Sequence, residues 1–520
     1  MMSIITRPNA GATRDLVMMV APLLLAACSG GSGCYTAHDH PAGECDPPPP
    51  PPATFSVLGY VAGLIGPGLT LSYNGASPVP ITRNGGVTLA MNLLNGTKYS
   101  VAVGNQPTNP AQTCTISNDS GAVANSDVSV LVYCPQAVGV WAFVATTGSI
   151  TTTPGVPSVP GSLSTYAIDA SSGALSLVPG SAVSTGPAVG TVQLVPHSSY
   201  LWALSIGDAS ATDNNTSSSI YAYSANANSG LLTANANSPF FTLNGTSATP
   251  AACNGVAGPG STSAVTFAPS GTFGYDLLGA NQAQNNGTYV LTTASGVPQL
   301  SGLAVPNDCA TPTIVDPSGQ FAYYATFRSS GFDSLVANTV DPTTGALTAL
   351  FGYAPPAVVE SGPGPPTIDP FGRFLYSLYG DDIAAYAINP ASGALAEMGP
   401  FAGAPAAISM LISPDGQFAY VTASGGLYIY SIDDSGVLNS VGSPVPLQIA
   451  AGQTLAAPGV TTATQIDPSG RFLYASASAG SGQQGIYAFN RDASTGALTL
   501  VPGSPFAVTS QTAPLQLVLH

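Results

Sequence analysis

A pattern of two alternating units returns along the last three quarters of the chain, and it restricts the fold more than any other feature. The first unit is a Pro turn leading into an aromatic strand. It reads VPHSSYLW at 195–202, APSGTFGY at 268–275, DPSGQFAY at 316–323, DPFGRFLY at 369–376, SPDGQFAY at 413–420 and DPSGRFLY at 467–474. The second is a strand ending in a Gly turn, as in YAIDASSGALSLVPGS at 166–181, YAINPASGALAEM at 386–398 and YAFNRDASTGALTLVPGS at 487–504. Its turn glycines are Gly173, Gly230, Gly296, Gly345, Gly393, Gly436 and Gly496, at intervals of 43 to 66 residues. Each interval has room for four short strands: one before the Pro turn, one after it, and two flanking the Gly turn. Four strands in a repeat of this length describe one blade of a β-propeller.

Six Pro turns against seven Gly turns is an informative mismatch. The first blade opens on VGVWAFVA at 138–145 and has no innermost strand of its own. The chain ends on APLQLVLH at 513–520, which matches GTVQLVPH at 190–197 and has no partners after it. The C-terminal strand is therefore expected to complete the first blade, so that a seven-bladed ring over residues 136–520 closes without a free edge.

Composition agrees with an all-β chain. Val, Thr, Ser, Tyr and Gly abound while Lys, Arg and Glu are scarce, which favours short strands and turns. A net charge of −16 repels phosphate backbones and disfavours nucleic acid as a partner.

The N-terminus points to export. Arg7 and Arg14 precede the apolar run LVMMVAPLLLAA at 16–27, which has the length of a signal-peptide core and is too short for a mature membrane span. LAAC, Leu25 to Cys28, resembles the bacterial lipobox. The resemblance implies cleavage after Ala27, lipid on Cys28 and attachment to the membrane. Ser29 follows instead of the Asp that would mark inner-membrane retention, so the outer membrane or cell surface is expected. Residues 28–54 are a Gly/Ser-rich and then hexaproline tether, a stiff rod of roughly 3.1 Å per residue.

Without Cys28, six cysteines remain: Cys34, Cys45, Cys114, Cys134, Cys253 and Cys309. An exported chain with three neighbouring pairs predicts disulfides 34–45, 114–134 and 253–309. Zinc on Cys34, His38, His40 and Cys45 is the lesser alternative. No metal or other cofactor is otherwise implied, and a divalent ion stays open. Residues 55–135 carry short apolar runs such as FSVLGYVAGL, LTLSYNG and VSVLVYC, several of them separated by Asn-Gly turns. They predict a small β-sandwich ahead of the propeller.

The recurrent DPSGRFLY and YAFNRDASTGALTLVPGSPF units resemble the lactonase family of seven-bladed propellers, which contains a bacterial 6-phosphogluconolactonase. The resemblance covers residues 136–520 and implies the fold, with lactone hydrolysis as the activity to look for. Ring opening needs an activated water and a positive group at the developing oxyanion. The residues that break the repeat are Arg328, Glu360 in a long Pro-rich connection, and His197 in one Pro turn; they are the catalytic candidates. Arg373 and Arg471 share a slot with Gln320 and Gln417 and read as exposed strand starts, and Arg491 reads as part of an outer turn. DNN at 213–215 and the Asp pairs 381–382 and 433–434 lack the spacing of a calcium loop.

Aligning the blades exposes a second set. Two places before the turn Pro or its equivalent stand Leu194, Phe267, Val315, Ile368, Ile412, Ile466 and Leu517, all apolar and expected in the core. One place earlier stand Gln193, Thr266, Ile314, Thr367, Leu411, Gln465 and Gln516. The amides and hydroxyls of this second series, Gln193, Thr266, Thr367, Gln465 and Gln516, are expected to border the central channel. They can hold a sugar or ordered water but supply no base. A binding or scaffold role toward a glycan or protein partner is thus the leading expectation, with lactone hydrolysis the alternative.

Overall fold

The computed structural model describes residues 50–520 except 147–160, 186–187, 196–197, 207–217, 242–263, 278–285, 293–296, 304–308, 311, 328–333, 354–365, 424–425, 448–463, 479–483 and 509–514. Among the described residues every regular element is a β-strand. From Trp141 onward the described strands fall in seven antiparallel sheets, each with a path of four hydrogen-bonded strands. The last of them runs Thr464–Ile466, Phe472–Ser478, Gln484–Arg491 and Leu498–Leu500 in chain order. The first takes its innermost strand from the far end of the chain. Leu515–Leu519 pairs antiparallel with Trp141–Thr146, placing Leu517 opposite Val144. That pairing satisfies an edge that would otherwise present free backbone groups.

Burial explains the two kinds of strand. Phe374–Tyr379 and Phe418–Ala423, which follow a Pro turn, are buried at every position, because neighbouring sheets cover both faces. Such strands read as continuous apolar runs, whatever their direction in the sheet. The innermost strands Ser409–Ile412 and Thr464–Ile466 are only half-buried.

The two repeated units lock one sheet to the next. Tyr275 donates its hydroxyl to the Gly345 carbonyl, Tyr323 to Gly393, Tyr376 to Gly436 and Tyr420 to Gly496, at 2.8–3.0 Å. In each pair the tyrosine follows a Pro turn and the glycine belongs to the Gly turn of the following sheet. The phenylalanine two places before each tyrosine lies under the same glycine. A Cβ on Gly393, which has φ +69°, would stand 2.3 Å from the Phe321 ring. Both the left-handed backbone and the close approach therefore require glycine there. The first sheet has Phe143 in the tyrosine slot, and Thr165 from the adjacent strand takes over the bond to the Gly230 carbonyl at 2.8 Å.

Residues 54–133 form two four-stranded sheets around one core of Val57, Val61, Leu69, Leu71, Val101, Val130 and Val132. The expected Cys114–Cys134 disulfide fastens this module. The strand Thr54–Ala62 is parallel to Val128–Tyr133, with Tyr60 beside Leu131 and Ala62 beside Tyr133. It departs from simple alternation because it is covered on both faces. Val57 and Val61 enter the module's core, while Tyr60 and Ala62 pack with Leu58, Leu131 and Tyr133 around Phe371 of the propeller.

Candidate functional site

The innermost strands are the natural starting point, since Ser409–Ile412 and Thr464–Ile466 are half-buried where the strands that follow the Pro turns are fully buried. The apolar series meets the expectation of a core role. Each member packs against a different cluster, for example Ile368 with Leu375 and Tyr386, Ile412 with Ala419 and Val421, and Ile466 with Leu473 and Ala475. The polar series is partly engaged in joining blades. The Thr266 hydroxyl donates to the Thr313 carbonyl of the next sheet, and the Thr367 hydroxyl to the Met410 carbonyl of the next at 3.3 Å. Thr464 exchanges a 2.9 Å hydroxyl contact with Thr422. Gln465 is half-buried on its strand opposite Tyr474. Gln193 pairs with Trp202, and Gln516 with Ala145. Among the described residues, Thr266, Thr367, Thr464 and Gln465 offer neutral hydrogen-bonding groups on these strands.

The acidic residues of the Pro turns are structural. Asp316, Asp369 and Asp467 are 5%, 0% and 0% exposed. Asp467 accepts from the Phe472 amide, and Asp316 from the amides of Gln320 and Phe321. Asp369 accepts from the Phe374 amide and from the Nε of Arg373 at 2.9 Å. A buried carboxylate fixed by backbone amides holds the turn in shape.

Two arginines depart from expectation. Arg373 is buried rather than exposed, at 7%, between the rings of Phe371 and Phe374 at 5.1 and 4.8 Å. Arg491 is equally buried. It bonds Asp415 at 2.6 Å, the Tyr420 hydroxyl at 3.0 Å and the Gly470 carbonyl at 3.0 Å. Arg471, in the same slot as Arg373, is exposed as expected and reaches the Ala170 carbonyl at 3.1 Å.

The physical reason for the buried Arg373 is the module above it. Three of the Pro turns carry a serine directly after the Pro, Ser270, Ser318 and Ser469, whereas Phe371 fills this slot and is 1% exposed beneath Tyr60 and Ala62. The neighbouring contacts follow suit. A Cβ on Gly86 would stand 2.7 Å from Pro390 of a Gly turn, and one on Gly85 would stand 2.9 Å from Ser318 of a Pro turn. The module thus docks on the face formed by the Pro and Gly turns. Burial pushes the Tyr60 phenol up to about 12, with the Arg373 guanidinium pulling the other way. Burial also pushes the Tyr133 phenol up to about 12, aided by Asp415. One module tyrosine lies near each buried arginine–aspartate pair. The departure of DPFG from DPSG was the sequence signal for this docking.

The catalytic candidates Arg328, Glu360 and His197 lie outside the described residues, as do Cys28, Cys34, His38, His40, Cys45 and Cys253. Cys309 lies on the two-residue strand Cys309–Ala310. Among the described residues no group of three or more His, Cys, Asp and Glu side chains is placed to hold a metal. Asp433 accepts from the amides of Ser435 and Val437, and Asp381 from that of Ala406, so both serve turns.

No protein-family profile matches the chain, and neither does any curated protein. Solved structures do. A "putative 6-phosphogluconolactonase" from Bacteroides fragilis is 16% identical, with 73% of this chain and 98% of that one covered at a TM-score of 0.50. Its counterpart from Bacteroides uniformis is also 16% identical, covering 73% and 100% at 0.52. The periplasmic gluconolactonase of Pseudomonas aeruginosa is 17% identical, covering 72% and 99% at 0.51. These similarities speak to fold, since fold does not carry chemistry with it. The chain carries a lactonase-like β-propeller fold.

Proposed function

We propose that the protein is an exported, lipid-anchored binding protein whose propeller channel receives a glycan or a segment of a protein partner. The observation that carries this reading is the contrast within the propeller. The half-buried innermost strands present hydroxyls and amides, whereas the buried carboxylates Asp316, Asp369 and Asp467 are engaged in their turns. Neutral polar groups on half-buried strands suit reversible binding. Anchoring rests on the LAAC motif at 25–28 and the proline tether. It is tested by metabolic labelling with a radioactive fatty acid, which Cys28→Ser abolishes if the reading is right.

A second reading, lactone hydrolysis, is favoured by the solved structures of similar fold, two of them described as a "putative 6-phosphogluconolactonase" and one as a gluconolactonase. Purified protein assayed on sugar lactones, with and without divalent metal, separates the two. Turnover that is lost in Glu360→Gln or Arg328→Ala establishes the enzyme. Saturable glycan binding without turnover, weakened by Gln465→Ala, establishes the binding protein.

A further inference from the structure

Residues of the module and of the propeller line an open polar cleft of about 480 Å³. Arg373 and Asp434 line it from the propeller, and Tyr99, Asn118, Asp127 and Ser129 are among its module walls. The lock described above brings the two propeller residues together. Arg373 directly precedes the strand Phe374–Tyr379, and the Tyr376 hydroxyl holds the Gly436 carbonyl in the turn that carries Asp434.

We infer that this cleft is a second binding site, and that its ligand is a neutral saccharide unit. The guanidinium of Arg373 is fixed before any ligand arrives. Its Nε is held by Asp369, and its plane lies between two aromatic rings. A side chain so restrained loses little rotational freedom on binding. The Nε bond leaves the terminal NH2 groups, and no further hydrogen bond of theirs is seen among the described residues. Asp127, on the module side of the same cleft, uses one oxygen to accept from the Ser56 amide at 2.7 Å, which leaves the other. Donors on one wall and carboxylate and hydroxyl acceptors on the other match adjacent sugar hydroxyls, each of which both donates and accepts. Tyr99, whose hydroxyl is tied to Asn118 at 2.7 Å, adds an aromatic edge.

The charge balance selects the class. Arg373 is already neutralised by Asp369, while Asp127 and Asp434 add two negative charges, so an acidic sugar is repelled. The volume lies within the range of small-ligand clefts and suits one or two sugar rings. The fold does not need arginine here, since Gln320 and Gln417 fill the same slot in other blades.

The test is saturation-transfer NMR on the whole mature chain with glucose, galactose, N-acetylglucosamine, cellobiose and glucuronate. At least one neutral sugar is expected to bind saturably. Arg373→Gln and Asp434→Asn are each expected to weaken it at least tenfold, and Arg471→Gln to leave it unchanged. Asp434 is exposed, so its variant keeps the test independent of folding. The inference is overturned if no neutral sugar binds, if both cleft variants bind normally, or if glucuronate binds more tightly than every neutral sugar. It is also overturned if Gln465→Ala alone abolishes binding, which would place the sugar in the channel.

Discussion

The hydroxyl of Tyr474 donates to the carbonyl of Gly173 at 2.9 Å, across 301 residues of chain. It is the same bond that Tyr275, Tyr323, Tyr376 and Tyr420 make to the following sheet, here made between the last sheet and the first. Phe472 completes the lock, since a Cβ on Gly173 would stand 2.4 Å from its ring. Ring closure therefore depends on this side-chain pair as well as on the C-terminal strand. Tyr474→Phe removes one hydrogen bond to a buried carbonyl, and a loss of about 1–2 kcal/mol in denaturant unfolding is expected. Gly173→Ala meets both the ring and a φ of +75°, and a loss above that of Tyr474→Phe is expected. A Tyr474→Phe protein as stable as the parent would show that the strand pairing alone closes the ring.

The Arg491–Asp415 pair joins two adjacent sheets, with side chains 1% and 15% exposed. Removing the acid leaves a guanidinium out of water with only neutral partners. Asp415→Ala is expected to cost about 3–5 kcal/mol, against less than about 0.5 kcal/mol for Arg471→Gln on the exposed slot. Urea midpoints at constant slope measure both. Equal midpoints for the two variants would mean that solvent reaches Arg491.

Module docking is tested at Phe371. Phe371→Ser restores the residue that other Pro turns carry, so the turn itself is undisturbed. It removes the ring that Tyr60 and Ala62 cover, and about 3 kcal/mol of module–propeller attachment is expected to be lost. Limited proteolysis reads this out as faster cleavage between the module and the propeller, with the propeller fragment left intact. Unchanged cleavage would mean that Gly85, Gly86 and their partners carry the contact.

These tests show which parts of the architecture were legible in sequence and which were not. DPSG and SSGAL recur because a turn glycine with aromatic side chains packed beneath it joins one sheet to the next, so their spacing reveals strand number and order. Their partnership across sheets is a long-range contact that no local pattern states. Arg373 illustrates the limit more sharply. Its slot accepts Gln or exposed Arg471 elsewhere, and only the module above makes it buried. The unusual Phe371 beside it was the visible trace of that covering. The residues chosen for chemistry, Glu360, Arg328 and His197, were chosen for breaking the repeat, and they fall outside the described residues. The repeat register brings the amides and hydroxyls of the innermost strands into one series, but the ties that Thr266 and Thr367 make to the next sheet are long-range and leave no local mark.

The Gly turns make an acid-range prediction. Asp169 accepts hydrogen bonds from the hydroxyls and amides of Ser171 and Ser172, and these hold its carboxyl down at about 2. Asp492 does the same with Ser494 and Thr495, the Ser494 hydroxyl at 2.7 Å, and is also held at about 2. Because the folded value is depressed, each turn contributes stability above the unfolded carboxylate range, near 4. That contribution fades as pH falls from there through about 2. Carboxyl carbon NMR on the folded chain is expected to show both residues titrating well below exposed aspartates. Ser494→Ala removes the hydroxyl donor and is expected to raise Asp492 while leaving Asp169 in place. If both aspartates instead titrate near 4, the turns are held by their backbone and glycine alone.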